Sequence, residues 1–158
     1  MKLNKILFLV LVLSILLVAF AFFSPALTLA PGNYQNSNTN QGPFVVIRNT
    51  KLEITIVTTN VQRALGLAKR DSLPENQGML FDFNDDKNSK PGFWMKDMKF
   101  DIDIIWIKDD KVLFIHKNVS APETPSSPLS HYYPPSSVDY VLETNAGWSE
   151  KNKIAIVD

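Results

Sequence analysis

The sequence predicts an α+β protein that is mainly β: a small open β-barrel or strongly curved antiparallel sheet with one or two short helices. Short runs in which apolar and polar residues alternate predict strands that bury one face. Turn-forming residues separate these runs, and the helical patterns between them cover only a turn or two. Several short strands with so little helix favour a single sheet that curls around its own core.

The amino terminus carries a pattern typical of export. Lys2 and Lys5 are the only charged residues before residue 31, and they precede an uncharged apolar run of 18 residues from Ile6 to Phe23. The positive-inside rule keeps the lysines in the cytosol and sends the following chain across the membrane. A run of this length also suffices to span a bilayer, so residues 1–30 are either a signal peptide or a single N-terminal transmembrane helix. We therefore expect an extracytoplasmic location: periplasm, cell surface or secreted.

Composition defines the domain boundaries and excludes several functions. Residues 31–43 offer almost nothing to bury and predict a flexible polar linker, so the folded domain is expected over 44–158. Cysteine is absent, which excludes disulfides, thiolate catalysis and iron–sulfur clusters. With 16 basic and 16 acidic residues there is no positive excess to hold a nucleic acid. We expect no cofactor and no metal, because His116 and His131 lie far apart with no helix to align them.

The first half of the domain contains two strand patterns and a short helix. Residues 44–47 and 52–56 show the alternation of strands and are separated by a turn. Thr59 or Asn60 is suited to cap the helix that follows, over residues 61–65.

The second half is predicted to consist of strands joined by a hairpin and a long loop. Residues 102–107 and 112–116 give the clearest hairpin, because aspartates in the connection favour a tight turn. Residues 120–138 hold five of the ten prolines and form a long irregular loop, a kind of segment that is often functional. The remaining patterns predict strands at 79–83, 93–95, 140–143 and 154–157, and one or two helical turns over 146–151.

Five blocks of sequence resemble a known family. They are RALGL at 63–67, SLPENQGMLF at 72–81, FWMK at 93–96, DII at 103–105 and YVLETNAGW at 140–148. In this order they resemble the domain of unknown function 192 (DUF192), an uncharacterised family of bacteria and archaea. The resemblance implies a small β-barrel-like fold, often behind a signal peptide, and brings no activity with it. The chain departs from the family pattern at Asp97 and Met98, where members usually have asparagine and threonine.

Asp103 is the centre of a candidate polar cluster. Strand alternation places it on one face with Ile105 and Ile107, and a carboxylate among aliphatic side chains needs a cationic or hydrogen-bonding partner. The candidate partners are Arg63, Lys96 and Arg70, with Glu143 as a second carboxylate. Such a cluster either binds a small polar ligand or performs acid–base chemistry, or it is a buried salt bridge that fixes the register of the strands.

The sequence thus predicts an exported small-ligand-binding or envelope accessory module, either tethered to the membrane or secreted. Its site would be a cleft beneath the 120–138 loop with a polar lining of Arg63, Lys96, Asp103 and Glu143. Tyr132 and Tyr133 are the loop residues that we expect at the surface. The alternative is a hydrolase acting on envelope carbohydrate or peptide, with Asp103 and Glu143 as a facing acid–base pair. Whether the domain is an enzyme stays open at this point.

Overall fold

The computed structural model describes residues 42–156. The predicted export segment, most of the predicted linker and the last two residues lie outside this range. Within it, no helix has the length and apolar character needed to cross a bilayer.

The domain is α+β and mainly β, as predicted, with eight strands and two short helices between residues 42 and 156. In chain order the elements are β1 (Phe44–Ile47), β2 (Thr50–Val57), α1 (Asn60–Leu65), β3 (Gln77–Asp82), β4 (Phe93–Trp94), β5 (Ile102–Lys108), β6 (Lys111–Val119), β7 (His131–Tyr132), β8 (Tyr140–Asn145) and α2 (Trp148–Lys151).

Six strands form one curled sheet in the order β1-β2-β3-β8-β5-β6, and β4 pairs with β7 in a separate two-stranded sheet. The prediction of an antiparallel sheet holds for every pair except β2–β3, which is parallel. This exception arises because α1 and the segment after it carry the chain back to the start of β3, which a tight hairpin cannot do.

The sheet is covered on both faces. One face buries a cluster that includes Phe81, Ile104 and Trp106, whereas the other packs Leu142 and Ile105 together with α2. Strand β5 lies between β8 and β6 and is therefore buried from Ile102 to Ile107 without the alternation of a half-exposed strand. Alternate residues of the inner strands thus point into one or the other of these two buried clusters.

Several local predictions are confirmed. Thr59 is the N-cap of α1: its Oγ1 accepts a hydrogen bond from the Gln62 N–H, and Gln62 Oε1 accepts one from the Thr59 N–H in return. The hairpin of β5 and β6 turns at Asp109 and Asp110, both with positive φ. Strands 44–47, 79–83 and 140–143 are found within one or two residues of their predicted bounds.

The predicted last strand is wrong over the residues that can be described. Residues 154–156 are not in a strand; instead, the Ile154 N–H donates to the Ser149 carbonyl oxygen at 2.8 Å, which ties the chain to α2. The Ile154 side chain is buried but Ile156 is half-exposed, so the apolar character that predicted a strand serves to cover the sheet.

Candidate functional site

Asp103, the expected centre of the polar cluster, is fully buried and hydrogen-bonded at both oxygens. Oδ1 accepts from the backbone N–H groups of Asn118 at 2.9 Å and Gly147 at 3.1 Å. Oδ2 accepts from the Ser149 N–H at 2.9 Å and from the Ser149 hydroxyl at 2.6 Å. Four donors satisfy the carboxylate. The expected partner is therefore of the hydrogen-bonding kind, a set of main-chain groups and a hydroxyl, and is none of the candidate cations. Asp103 holds α2 and the irregular part of β6 against β5.

The expected pairing of Asp103 with Glu143 is wrong. In the β5–β8 ladder Asp103 lies opposite Thr144 and Ile104 lies opposite Glu143. Because neighbouring residues of a strand point to opposite faces, the two carboxyl groups lie on opposite sides of the sheet. Asp103 shares the face of α2, and Glu143 shares the face of Ile104. They cannot act on one substrate as an acid–base pair.

The other three members of the predicted cluster line one cavity of about 250 Å³. Arg63 reaches it from α1, Glu143 from β8 and Lys96 from the segment after β4. Asp103 does not line it. The rest of the wall is largely apolar and includes Leu65, Leu67, Phe81, Phe83, Phe93, Trp94 and Met98.

The cavity is formed where the end of α1 approaches β3 and β4. Gly66 ends the helix with φ of +50°, and the turn brings the following chain over the Phe81 ring. The Lys69 N–H then donates to the Asp97 carbonyl oxygen at 2.8 Å, which fastens the segment after α1 to the segment after β4. Two connections thus form the walls, while β3 and β8 form the floor.

Glu143 is the buried titratable group of this floor, with only 5% of its surface exposed. Its Oε2 atom is buried and has no hydrogen-bond partner. Burial raises the pKa of Glu143 to about 8, and the charge of Arg70 opposes the shift only in part. The side chain is therefore mostly a neutral acid at pH 7.

Arg63 is held in place by two oxygen atoms outside the cavity and by one aromatic ring of the cavity wall. Its Nη2 donates to the Asp82 carbonyl oxygen and to Asp85 Oδ1, the latter at 3.2 Å. Its Cζ lies 4.5 Å from the centroid of the Phe83 ring, a cation–π contact. Its Nε is buried without a partner, so Arg63 is the second cavity-lining residue with an unsatisfied polar atom.

Trp94 and Lys96 lie at the mouth of the cavity. Trp94 is 47% exposed, and the Lys96 Nζ lies 5.7 Å from its ring centroid. Trp94 also contacts the ring of His131, which stacks on Tyr133 in turn. Gly92 permits this arrangement, because a Cβ there would lie 2.7 Å from the Tyr133 ring.

The predicted position beneath the 120–138 loop is wrong, since none of the residues that line the cavity comes from that loop. The loop instead contacts a strand whose residues line the cavity. Its strand β7 pairs with β4, so that Tyr132 lies opposite Phe93 and His131 opposite Trp94. Tyr132 is half-buried against the core, contrary to the expectation of a surface residue, whereas Tyr133 is 58% exposed as expected.

The sequence missed the apolar half of the site. The sequence predicts that Phe81, Phe83 and Phe93 lie in strands, and nothing in their spacing distinguishes a cavity wall from a packed core. A signal was nevertheless present, because the RALGL, FWMK and YVLETNAGW blocks supply Arg63, Lys96 and Glu143 respectively.

Comparison with known proteins agrees with the small curled-sheet fold. The chain belongs to the DUF192 family, described as "Uncharacterized ACR", whose model matches residues 44–158. No curated protein matches the chain.

Two solved structures have a similar fold. One is a protein of unknown function from Novosphingobium aromaticivorans DSM 12444, with 24% identity, a TM-score of 0.60, and coverage of 67% of this chain and 71% of the other. The second is a "putative transcription regulator" from Sinorhizobium meliloti 1021, with 28% identity, a TM-score of 0.58, and coverage of 67% and 78%.

Proposed function

We propose that the domain is an exported small-ligand-binding module and that the cavity over Glu143 is its binding site. The observation that carries this proposal is Oε2 of Glu143, a buried atom that lacks a hydrogen-bond partner in a residue that lines the cavity. An unsatisfied buried polar group costs roughly 1–3 kcal/mol, so it needs a compensating reason such as a ligand that supplies the partner.

The surroundings of Glu143 support the same function. Most of the wall is aliphatic and aromatic, with a few polar groups among them, which is the usual composition of small-molecule sites. Trp94 adds an exposed aromatic surface at the mouth, where a ligand can stack as it enters. A site that served only to stabilise the fold would gain by replacing Glu143 with an apolar residue.

Export is the second part of the proposal and is supported by the apolar run of residues 6–23 alone. In this proposal the domain acts outside the cytosol, tethered to the membrane if the segment is retained and secreted or periplasmic if it is cleaved. The hydrolase with an Asp103–Glu143 pair is not part of the proposal, because its two carboxyl groups lie on opposite faces of the sheet.

A fragment screen against the full chain tests the binding site. The screen should contain neutral, cationic and anionic compounds, with binding detected by ligand-observed NMR. We expect hits whose binding is lost in Ala68→Leu, because Ala68 lines the cavity and the larger side chain fills part of it. The matched control is Ala155→Leu at an exposed position that does not line the cavity. Hits that bind equally to all three proteins, or no hits at all, would contradict the proposal.

A further inference from the structure

Both buried side-chain atoms that lack a hydrogen-bond partner within residues 42–156 belong to residues that line this cavity. They are Nε of Arg63 and Oε2 of Glu143. An arginine Nε–H can only donate. A carboxyl group that is protonated at pH 7 also carries one O–H donor, since the pKa of Glu143 is about 8. Both residues thus carry a hydrogen that no acceptor of the protein receives, and a ligand that the two side chains turn to meet would have to supply the acceptor.

The charges around the cavity also favour a ligand that accepts hydrogen bonds. Apart from Glu143, the ionisable residues that line it are Arg63 and Lys96, and the charge of Arg70 also acts on Glu143. Asp85 pairs with Arg63, but its side chain is 70% exposed and lies outside the cavity. An amine would bring a further positive charge to a site that is already lined by two cations and whose carboxyl group is mostly neutral at pH 7. An anion meets the cations Arg63 and Lys96 and the neutral Glu143 carboxyl.

The size and lining of the cavity define the rest of the ligand. A cavity of about 150 Å³ lined by apolar side chains is known to hold a benzene ring. The volume of about 250 Å³ here accommodates a ring or a branched aliphatic group together with a short polar arm. Phe81, Phe83, Phe93, Leu67 and Met98 supply the contacts for such a body.

We infer that the cavity takes a small carboxylate with an aromatic or branched apolar body, whose carboxylate oxygens accept hydrogen bonds from Arg63 Nε and from the Glu143 carboxyl. The body packs among the phenylalanine rings, and Lys96 at the mouth attracts the anion as it approaches. This inference rests on the proposed function and specifies the chemistry of the ligand for the same site.

Three probes with the same phenylpropyl skeleton separate the head-group chemistries: 3-phenylpropionate, 3-phenylpropionamide and 3-phenylpropylamine. Their affinities for the full chain are measured at pH 7 by titration calorimetry or NMR. We expect the carboxylate to bind at least tenfold more tightly than the amine, with the amide between them, because the amide retains an acceptor oxygen without the charge.

Variants then assign the contacts. Glu143→Gln keeps a donor and should leave carboxylate affinity within about threefold, whereas Glu143→Leu removes the donor and should lower it tenfold or more. Lys96→Gln, at an exposed position, should weaken the carboxylate severalfold and leave the amide unchanged. Should Glu143→Leu fail to fold, the Glu143→Gln and Lys96→Gln variants still decide the matter.

The inference and the proposed function fail in different ways. Preferential binding of the amine, or equal binding of all three probes, overturns the carboxylate inference while the binding site itself stands. Failure of all three probes to bind also overturns the inference. The proposed function is then judged by the fragment screen, because its hits need not be acids.

Discussion

Glu143 titrates in a pH range where few carboxyl groups do, and this behaviour follows from one residue's position on β8. The side chain faces the cavity floor, and burial raises its pKa from 4.5 to about 8 despite the nearby charge of Arg70. In the unfolded chain the same group titrates near its ordinary value. The folded protein therefore binds the proton more tightly than the unfolded chain over the whole interval between these values.

The first prediction is a pH-dependent difference between the wild type and Glu143→Gln. A raised pKa contributes stability that is fully present below about pH 4.5 and is lost as the pH rises through about 8. The glutamine side chain does not titrate. The free energy of unfolding of the variant should therefore rise relative to that of the wild type from pH 5 to pH 9. The rise in pKa from 4.5 to about 8 corresponds to a change on the order of 5 kcal/mol in this free-energy difference between those two pH values.

Urea denaturation of both proteins at each pH provides the measurement. Taking the difference between the two proteins cancels the titration of every other group and the cost of an unpaired amide, which does not vary with pH. A difference that stays constant from pH 5 to pH 9 would show that Glu143 is ionised at neutral pH. The inference of a neutral donor in the cavity would then be wrong as well.

At the scale of elements, Asp103 connects three pieces of structure. It accepts from Asn118 in β6, from Gly147 before α2 and from Ser149 within α2. Helix α2 has only four residues and no side-chain cap of its own, so Asp103 supplies from β5 the acceptor that an N-cap would provide. The sequence correctly predicts that this carboxylate lies among aliphatic residues. It does not predict the partners, because every residue except proline has a backbone N–H and the sequence does not show which of them come close.

The second prediction is that Asp103→Asn destabilises the fold. An asparagine has one acceptor oxygen in place of two, and its amide hydrogens would face backbone donors in a fully buried position. We expect a loss of roughly 3 kcal/mol in the free energy of unfolding. Asp101→Asn is the matched control on the same segment, because Asp101 is exposed and its side chain accepts one hydrogen bond, from the Ala121 N–H. The control should cost less than about 1 kcal/mol. Equal losses in both variants would mean that Asp103 has no special structural role.

At the scale of the whole molecule, the sequence predicts the individual helices and hairpins far better than it predicts which strands lie side by side in the sheet. The capped helix α1 and the β5–β6 hairpin depend on residues that are close in the chain, so Thr59 and the two turn aspartates were sufficient to find them. The insertion of β8 between β3 and β5 depends on contacts between distant segments. That insertion determines which face of the sheet Glu143 occupies. It explains why Glu143 lines a cavity with Arg63 and Lys96, while Asp103 lies on the opposite face.

The last prediction concerns the location of the molecule as a whole. Alkaline phosphatase fused after Asp158 should be active in a bacterial host, because this enzyme needs the oxidising environment outside the cytosol to form its disulfides. Leu11→Arg together with Leu16→Arg should abolish the activity, since a charge near the centre of an apolar segment costs about 2.5–3.5 kcal/mol on insertion scales. Val61→Arg with Ala155→Arg is the matched control, because it adds the same charge at two exposed positions far beyond the apolar run and should leave the activity unchanged. Loss of phosphatase activity in the wild-type fusion, with the fusion protein intact in the cytosol, would contradict export. The ligand of the cavity would then have to be sought among cytosolic acids.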